Sequence, residues 1–179
     1  REVFHKRGFS YGKFLQTVRE LVDKKIYDSR LGDYSDKEIE ELGKYIAPDR
    51  DMMYDYAGAN MLVNRYLIKY LGNTYELPQE VFMCIAMLLA INEIAKKFYD
   101  ALSLKKISLA TPILANLRIP KGNLSSCFIT AIDDNIESIF YNIDTIAKIS
   151  KNGGGVGVNI SRIRAKNSMV NGYYNASGG

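Results

Sequence analysis

Apolar residues recur at helical spacing through much of the first half of this chain. Between residues 9 and 28 they form one broad stripe with charged side chains opposite, which predicts an amphipathic helix. Ser35 and Glu38 stand three residues apart, as in a capping box, and predict a second, short helix that ends near Ile46. A third helix is predicted over residues 51–70. All three are interpreted as scaffold.

The segment 78–91 differs because it is apolar nearly all round. It opens with a proline, which suits the first turn of a helix, and its composition predicts a helix that is buried on every side. Residues 107–109 are then predicted as a short strand, and Thr111-Pro112 is predicted to turn the chain into residues 113–118. About 100 residues thus form a helical layer ahead of an α/β part.

Toward its end the chain changes to a strand, a helix and a second strand. Residues 125–132 are short and β-branched toward their end, which predicts a buried strand with Cys127 in its middle. Residues 135–152 carry apolar residues at helical spacing and lysines in the last turn, which predicts a helix. Asp134 and Glu137 form the acidic variant of a capping box, so Asp134 is most simply its N-cap.

Glycines dominate the turn after this helix. The run from Gly153 to Gly157 removes nearly every side chain, so backbone N–H groups can approach a ligand or another backbone closely. No Lys-Ser or Lys-Thr pair follows, which excludes a Walker A loop. Arg162, Arg164 and Lys166 then recur with period two and would share one face of an extended segment, which suits a phosphate chain. Without the glycine turn, they would indicate only a solvated strand face.

Composition narrows the functional classes. The 179 residues carry a formal net charge of +4, which suits anionic small molecules but is too small and too dispersed for a nucleic-acid groove. Two distant cysteines and the lack of an apolar run of membrane length predict a soluble protein of a reducing compartment, the cytoplasm. A single histidine and the absence of a Cys/His cluster argue against a metal site.

Four blocks carry a family resemblance. TPILANLR (111–118), LSSCFI (124–129), the helix that begins after Asp134, and GGGVGVNISRIRA (153–165) together resemble the large, catalytic subunit of class I ribonucleotide reductase, a ribonucleoside-diphosphate reductase. The helical segments 54–67 and 77–90 also resemble the region just upstream in that family, so the likeness covers most of the chain.

The resemblance implies an α/β fold that is incomplete in this chain. Residues 1–104 would form an N-terminal helical region, and residues 105–179 the first strands and the effector-site helix of the family's ten-stranded α/β barrel. The chain is accordingly interpreted as an N-terminal portion of the subunit, from a split or interrupted gene or a truncated chain. By itself it is expected to be inactive.

The resemblance also assigns catalytic and substrate-binding residues. Cys127 matches one member of a redox-active cysteine pair whose partner is absent from this chain, although from the residues alone it would more often be an inert core thiol. Thr111 and Ser126 match residues near the substrate diphosphate and ribose, with turn and strand hydrogen bonding as the alternative. Gly154 and Gly155 match a backbone that lies close to the active site.

A second group of residues matches the family's allosteric site. Asp134 matches a residue that helps to hold the specificity effector, a deoxynucleoside triphosphate or ATP. Arg164, and secondly Arg162, match the segment that borders the effector phosphates. Helix 135–152 corresponds to the helix that packs against its copy in a homodimer, although an apolar stripe is more often part of a core.

The implied function is the reduction of ribonucleoside diphosphates to deoxyribonucleoside diphosphates for DNA replication, by radical chemistry. The expected partners are a complementary C-terminal large-subunit polypeptide, a small radical-generating subunit with the radical metallocofactor, and thioredoxin or glutaredoxin as reductant. No cofactor or metal bound directly by this chain, no nucleic acid and no membrane are expected. The alternative is a non-catalytic nucleotide-binding or assembly module derived from that subunit. A plain helical interaction domain would leave the glycine run and the basic alternation unexplained.

Overall fold

The computed structural model describes residues 11–70 and 73–178. The chain forms two units, of which the first ends at Leu124 and the second begins at Ser125. The helices and strands of the first unit are α1 Phe14–Asp23, α2 Asp36–Tyr45, α3 Tyr56–Met61, β1 Lys69–Tyr70, β2 Asn73–Thr74, α4 Pro78–Leu89, α5 Asn92–Ser103 and α6 Thr111–Asn116. Those of the second unit are β3 Cys127–Ala131, α7 Ile136–Lys151 and β4 Gly155–Asn159.

The first two predicted helices have different outcomes. The predicted start of the first helix at residue 9 lies outside the described residues, and a 3₁₀ turn at Tyr11–Lys13 leads into α1. The predicted extent to residue 28 is wrong: α1 stops at Asp23 because Lys25 has a positive φ of 56° and the N–H groups of the next two residues donate to the carbonyl of Leu21. The capping box of α2 is confirmed, with both reciprocal bonds between Ser35 and Glu38.

The predicted third helix over 51–70 is wrong, because the segment is broken into four elements. A 3₁₀ turn at Pro48–Met53 precedes α3, and the side chain of Asp55 caps α3 by accepting from the N–H of Gly58. A π-helical turn follows at Leu62–Tyr66, and the chain then turns back as the antiparallel β1–β2 pair.

The buried helix predicted around 78–91 is confirmed as α4, which forms the centre of the helical core. It ends at Leu89, because Ala90 and Ile91 are extended, and the following α5 was not predicted. The strand predicted at 107–109 is wrong, because this stretch is irregular. Thr111 instead opens the short helix α6, with a proline in its first turn.

The second unit is a strand–helix–strand arrangement in which β3 and β4 pair in parallel. Their register places Cys127 opposite Gly155 and Ile129 opposite Gly157. The predicted helix is confirmed as α7, and Gly153 ends it with a φ of +79°. The helix covers one face of the strand pair. Within residues 11–70 and 73–178, no helix has both the length and the apolar character needed to cross a membrane.

Candidate functional site

Cys127 lies on an open face of the β3–β4 pair. Residues of β3 alternate between exposed and half-buried, and Cys127 is its first residue and is exposed. The prediction of a buried, mid-strand cysteine is therefore wrong, because α7 covers only the opposite face. Gly155 and Gly157 are the register partners on this open face, and Ile129 is 89% exposed beside them. Because the neighbouring β4 positions are glycines, this face leaves room for a ligand beside the thiol.

A buried asparagine joins α7 to the face of the strand pair that this helix covers. Asn142 lies on the inner side of α7, where its Oδ1 accepts from the hydroxyl of Thr130 on β3 and its Nδ2 donates to the carbonyls of Ser138 and Ala131. The sequence interpretation missed this residue. The sequence feature that could have indicated Asn142 is its position, because it is a polar residue three positions after Ile139 on the apolar stripe of the predicted helix.

The glycines of the run have separate structural roles. Gly153 supplies the positive φ that ends α7. Gly154 is buried, and a Cβ built on it would come within 2.7 Å of the Phe128 ring. Gly155 is exposed, and its N–H donates to the carbonyl of Ser126 at 2.8 Å. The structure thus brings Ser126, Cys127 and Gly155 together at one end of the strand pair.

The start of α7 is capped by Asn135, so the prediction that Asp134 is the N-cap is wrong. The Asn135 side chain accepts from the N–H of Ser138 at 2.7 Å, and the Ser138 hydroxyl accepts from the N–H of Asp133 at 2.9 Å. The carboxylate of Asp134 points elsewhere, because Nε of Arg164 donates to its Oδ2 at 2.5 Å.

Two ion pairs bring the predicted effector residues together. Arg164 pairs with Asp134 through side chains that are about one-third exposed, while the more exposed Arg162 pairs with Asp133 at 2.8 Å. The prediction of a basic face on an extended segment is wrong, since β4 ends at Asn159 and the chain then turns. The two arginines lie beside the beginning of α7 because of these ion pairs, and not because they alternate along a strand.

Thr111 belongs to the first unit. It is the first residue of α6 and is exposed, and its hydroxyl lies 3.2 Å from the hydroxyl of Tyr66. The sequence interpretation did not single out Tyr66, which closes the π-helical turn and lies 45 positions earlier.

A buried ion pair in the first unit was also missed. Arg118 and Glu76 are both fully buried, and Nε and Nη2 of the guanidinium donate to the two carboxylate oxygens at 2.5 and 2.7 Å. The Tyr27 hydroxyl donates to the same carboxylate at 2.7 Å. Cys84 lies in this core, and burial raises the pKa of its thiol, so it fits the prediction of a small buried hydrophobe.

The outward side of α7 is apolar. Ile136, Phe140 and Ile143 recur at helical spacing and are each more than half exposed, as is Tyr141 beside them. In the described parts of the chain, no three His, Cys, Asp or Glu side chains cluster as a metal site would require.

Two family models match this chain. The model described as ribonucleotide reductase, all-alpha domain, matches residues 52–122, and the model described as ribonucleotide reductase, barrel domain, matches residues 125–179.

Similar proteins are ribonucleoside-diphosphate reductase alpha subunits. That of Synechocystis sp. is 51% identical over 100% of this chain and 24% of its own length. That of Helicobacter pylori strain 26695 is 41% identical over 99% of this chain and 23% of its own length. Subunit alpha of reductase 1 from Escherichia coli K12 is 34% identical over 95% of this chain and 24% of its own length. The chain spans about a quarter of the length of these relatives.

Proposed function

The chain belongs to the ribonucleotide reductase large-subunit family, and on that premise we propose that it supplies a redox-active thiol and part of an effector site to a ribonucleoside-diphosphate reductase. Residues 52–122 match the family's all-alpha domain, and residues 125–179, which contain β3, α7 and β4, match its barrel domain, so the predicted helical region followed by the start of the barrel is confirmed. The observation that carries the proposal is the exposed Cys127, at the start of β3 and opposite Gly155.

Cys127 acts with a second thiol from another part of the assembled subunit. The two thiols give up two electrons and two protons and form a disulfide, while the 2′ hydroxyl of the ribose leaves as water and a hydrogen takes its place. Thioredoxin or glutaredoxin then returns the disulfide to two thiols. The small subunit would generate a radical and pass it to a separate cysteine of the assembled enzyme, which would take the 3′ hydrogen of the substrate and return it at the end of the turnover. The two free cysteines of this chain suit the reducing cytoplasm.

Neutral donors of this chain contribute to substrate binding. The exposed Ser126 precedes Cys127, and the glycine backbone at Gly155 lies beside it in the sheet, so both can border the ribose. Thr111 is exposed and offers its hydroxyl to the diphosphate. Gly154 acts indirectly, because it is buried and holds the turn against Phe128.

The effector site lies at the beginning of α7. A deoxynucleoside triphosphate or ATP meets two guanidinium groups there, Arg162 and Arg164, which suit phosphate oxygens because each is a planar fork of N–H donors. Asp134 holds Arg164 in place and offers carboxylate oxygens to a ribose hydroxyl. The two ion pairs support this assignment, since they put both cations beside the same helix start.

Partners cover the surfaces that this chain leaves open. The apolar outer stripe of α7, which includes Phe140, fits a second copy of the same helix in a homodimer. The outer edges of β3 and β4, which form a two-stranded sheet, fit the remaining barrel strands of the assembled large subunit.

The test is Cys127→Ser in the complete large subunit, assayed with its small subunit and thioredoxin, with Cys84→Ser as the matched control. Multiple-turnover reduction should be lost in Cys127→Ser and kept in Cys84→Ser, because only Cys127 is exposed. Undiminished turnover of Cys127→Ser would refute the catalytic role. Nucleotide binding without any reduction by the unaltered complex would favour the non-catalytic module.

A further inference from the structure

Tyr66 and Thr111 meet although they come from different elements of the helical unit. Tyr66 is the last residue of the π-helical turn, and its hydroxyl lies 3.2 Å from the hydroxyl of Thr111, the first residue of α6. Single π-turns within helices are rare and occur frequently at functional sites. Tyr66 is half-buried and Thr111 is exposed, so the phenol supports the threonine hydroxyl from within.

One buried guanidinium fixes the two elements relative to each other. Nη2 of Arg118 donates to the carbonyl of Tyr66 at 2.6 Å, and Nη1 donates to the carbonyl of Leu114, in α6, at 2.7 Å. The carboxylate of Glu76 holds Arg118 itself through two bonds. The separation of Tyr66 and α6 is therefore set by a fully buried ion pair.

We propose that Tyr66 is a positioning residue for Thr111, orienting the threonine hydroxyl so that its hydrogen points outward to a phosphate oxygen of the nucleoside diphosphate. This inference rests on the proposed function, in which Thr111 contacts the substrate diphosphate.

The reason lies in the hydrogens available to the pair. Each hydroxyl has one hydrogen and can accept, and without a ligand either can be the donor. When a phosphate oxygen accepts a hydrogen bond from the Thr111 hydroxyl, the Tyr66 hydroxyl becomes the donor to Thr111. A hydroxyl that accepts one hydrogen bond donates a stronger one, because the two bonds polarise each other. Without the phenol, the threonine hydroxyl loses this orientation.

The test compares Tyr66→Phe, Thr111→Val and the double variant in the complete enzyme with its small subunit. Tyr66→Phe keeps the ring and the backbone carbonyl that Arg118 holds. We expect the dissociation constant and KM for a ribonucleoside diphosphate to rise about three- to tenfold, the range of one neutral hydrogen bond, with little change in kcat. Thr111→Val should raise both at least as much, and adding Tyr66→Phe to it should have no further effect.

Tyr34→Phe is the matched control. Its hydroxyl donates to the carbonyls of Met87 and Ala90, so its loss weakens the fold without touching Thr111, and substrate affinity should not change. Unchanged affinity in Tyr66→Phe, or an effect that adds to that of Thr111→Val, would overturn the positioning role while leaving the substrate role of Thr111 intact. An unaffected Thr111→Val variant would overturn both.

Discussion

The ring of Phe128 lies where a side chain on Gly154 would have to go. A Cβ built on Gly154 would be 2.7 Å from Cε2 of Phe128 and 2.6 Å from Cγ2 of Ile149, closer than real Cβ contacts. Backbone of the glycine turn therefore packs directly on a β3 side chain and on the last turns of α7. This contact locks the beginning of β4 beside Cys127.

Gly154→Ala should destabilise the strand–helix–strand unit by about 1–3 kcal/mol, the usual cost of overpacking a close contact. The N–H of Gly155 donates to the carbonyl of Ser126, so its hydrogen exchange reports the opening of the strand pair. Exchange at this amide should accelerate about 5- to 150-fold in the variant, which is that free energy expressed as a ratio.

Gly155→Ala is the control for this substitution, because a Cβ there would meet only the Ser126 carbonyl at an ordinary 3.5 Å. Phe128→Leu added to Gly154→Ala should restore part of the protection by making room. Equal exchange in the two alanine variants would contradict the packing role of Gly154.

Because Glu76 and Arg118 form a buried ion pair, we expect the loss of one partner to destabilise the fold more than the loss of both charges. Arg118→Met should lower the free energy of unfolding by about 3–5 kcal/mol, because it leaves a carboxylate buried without its partner. The double variant Glu76→Gln/Arg118→Met should be more stable than Arg118→Met alone, since no charge stays uncompensated. Urea unfolding of the chain, followed by circular dichroism, measures both.

Arg162→Met is the comparison, because it removes one partner of an exposed ion pair instead of a buried one. Its pair with Asp133 is more than half exposed on both sides, so the loss should stay below about 1 kcal/mol. Similar losses for Arg118→Met and Arg162→Met, or a double variant less stable than Arg118→Met, would contradict the role given to burial.

Local signals in the sequence were enough for the helices whose ends are set by neighbouring residues. Ser35 and Glu38 predicted the start of α2, and the predicted end of helix 135–152 lies one residue past α7, next to the positive φ of Gly153, because each cap forms within a few positions. The prediction of one helix over 51–70 was wrong because a local signal inside the segment was overlooked. Asp55 caps a new helix there, although the apolar and tyrosine residues around it favoured a continuous one.

Contacts between distant parts of the chain could not be predicted in this way. Arg118 ends the TPILANLR block, but Glu76 lies 42 positions earlier and no periodic pattern connects the two. The same holds for Asp134 and Arg164, which are 30 positions apart. The resemblance indicated both as effector residues, yet their pairing with each other depends on the turn that follows β4.

Acid should weaken the start of α2 through Glu38. Hydrogen bonds from the Ser35 hydroxyl, and then from its N–H, hold the pKa of the Glu38 carboxyl below its usual 4.5. A lowered pKa in the folded state means that the stabilisation is present above pH 4.5 and is lost as the pH falls through the lower folded value. The stability advantage of the unaltered chain over Glu38→Gln should therefore shrink as the pH falls from 6 toward about 3.

Urea midpoints at each pH measure that difference. Glu40→Gln, an exposed position on the same helix outside the capping box, is the control for the loss of one carboxyl group. A constant difference between the unaltered chain and Glu38→Gln at every pH would contradict the contribution of the ionised cap.

Arg164 should matter more than Arg162 for effector binding, because its geometry is better fixed. Arg164 is half-buried and contacts both the side chain and the carbonyl of Asp134, and these contacts use only two of its five N–H hydrogens. The others can donate to phosphate oxygens while Asp134 keeps the fork in place. Arg162 is held by a single contact on a more exposed pair, so more of its side-chain freedom must be lost on binding.

Arg164→Ala should therefore raise the dissociation constant of a deoxynucleoside triphosphate about tenfold or more, the range of a hydrogen bond to a charged group. Arg162→Ala should have a smaller effect. Arg164→Lys should not restore affinity, because an ammonium group cannot hold Asp134 and a phosphate in one fixed plane.

Equilibrium dialysis with the complete large subunit gives the three dissociation constants. Lys148→Ala, which removes an exposed cation near the other end of α7, controls for net charge and should leave the affinity unchanged. If Arg164→Ala binds the effector as the unaltered subunit does, or if Arg162→Ala is the weaker binder, the phosphate role of Arg164 is wrong.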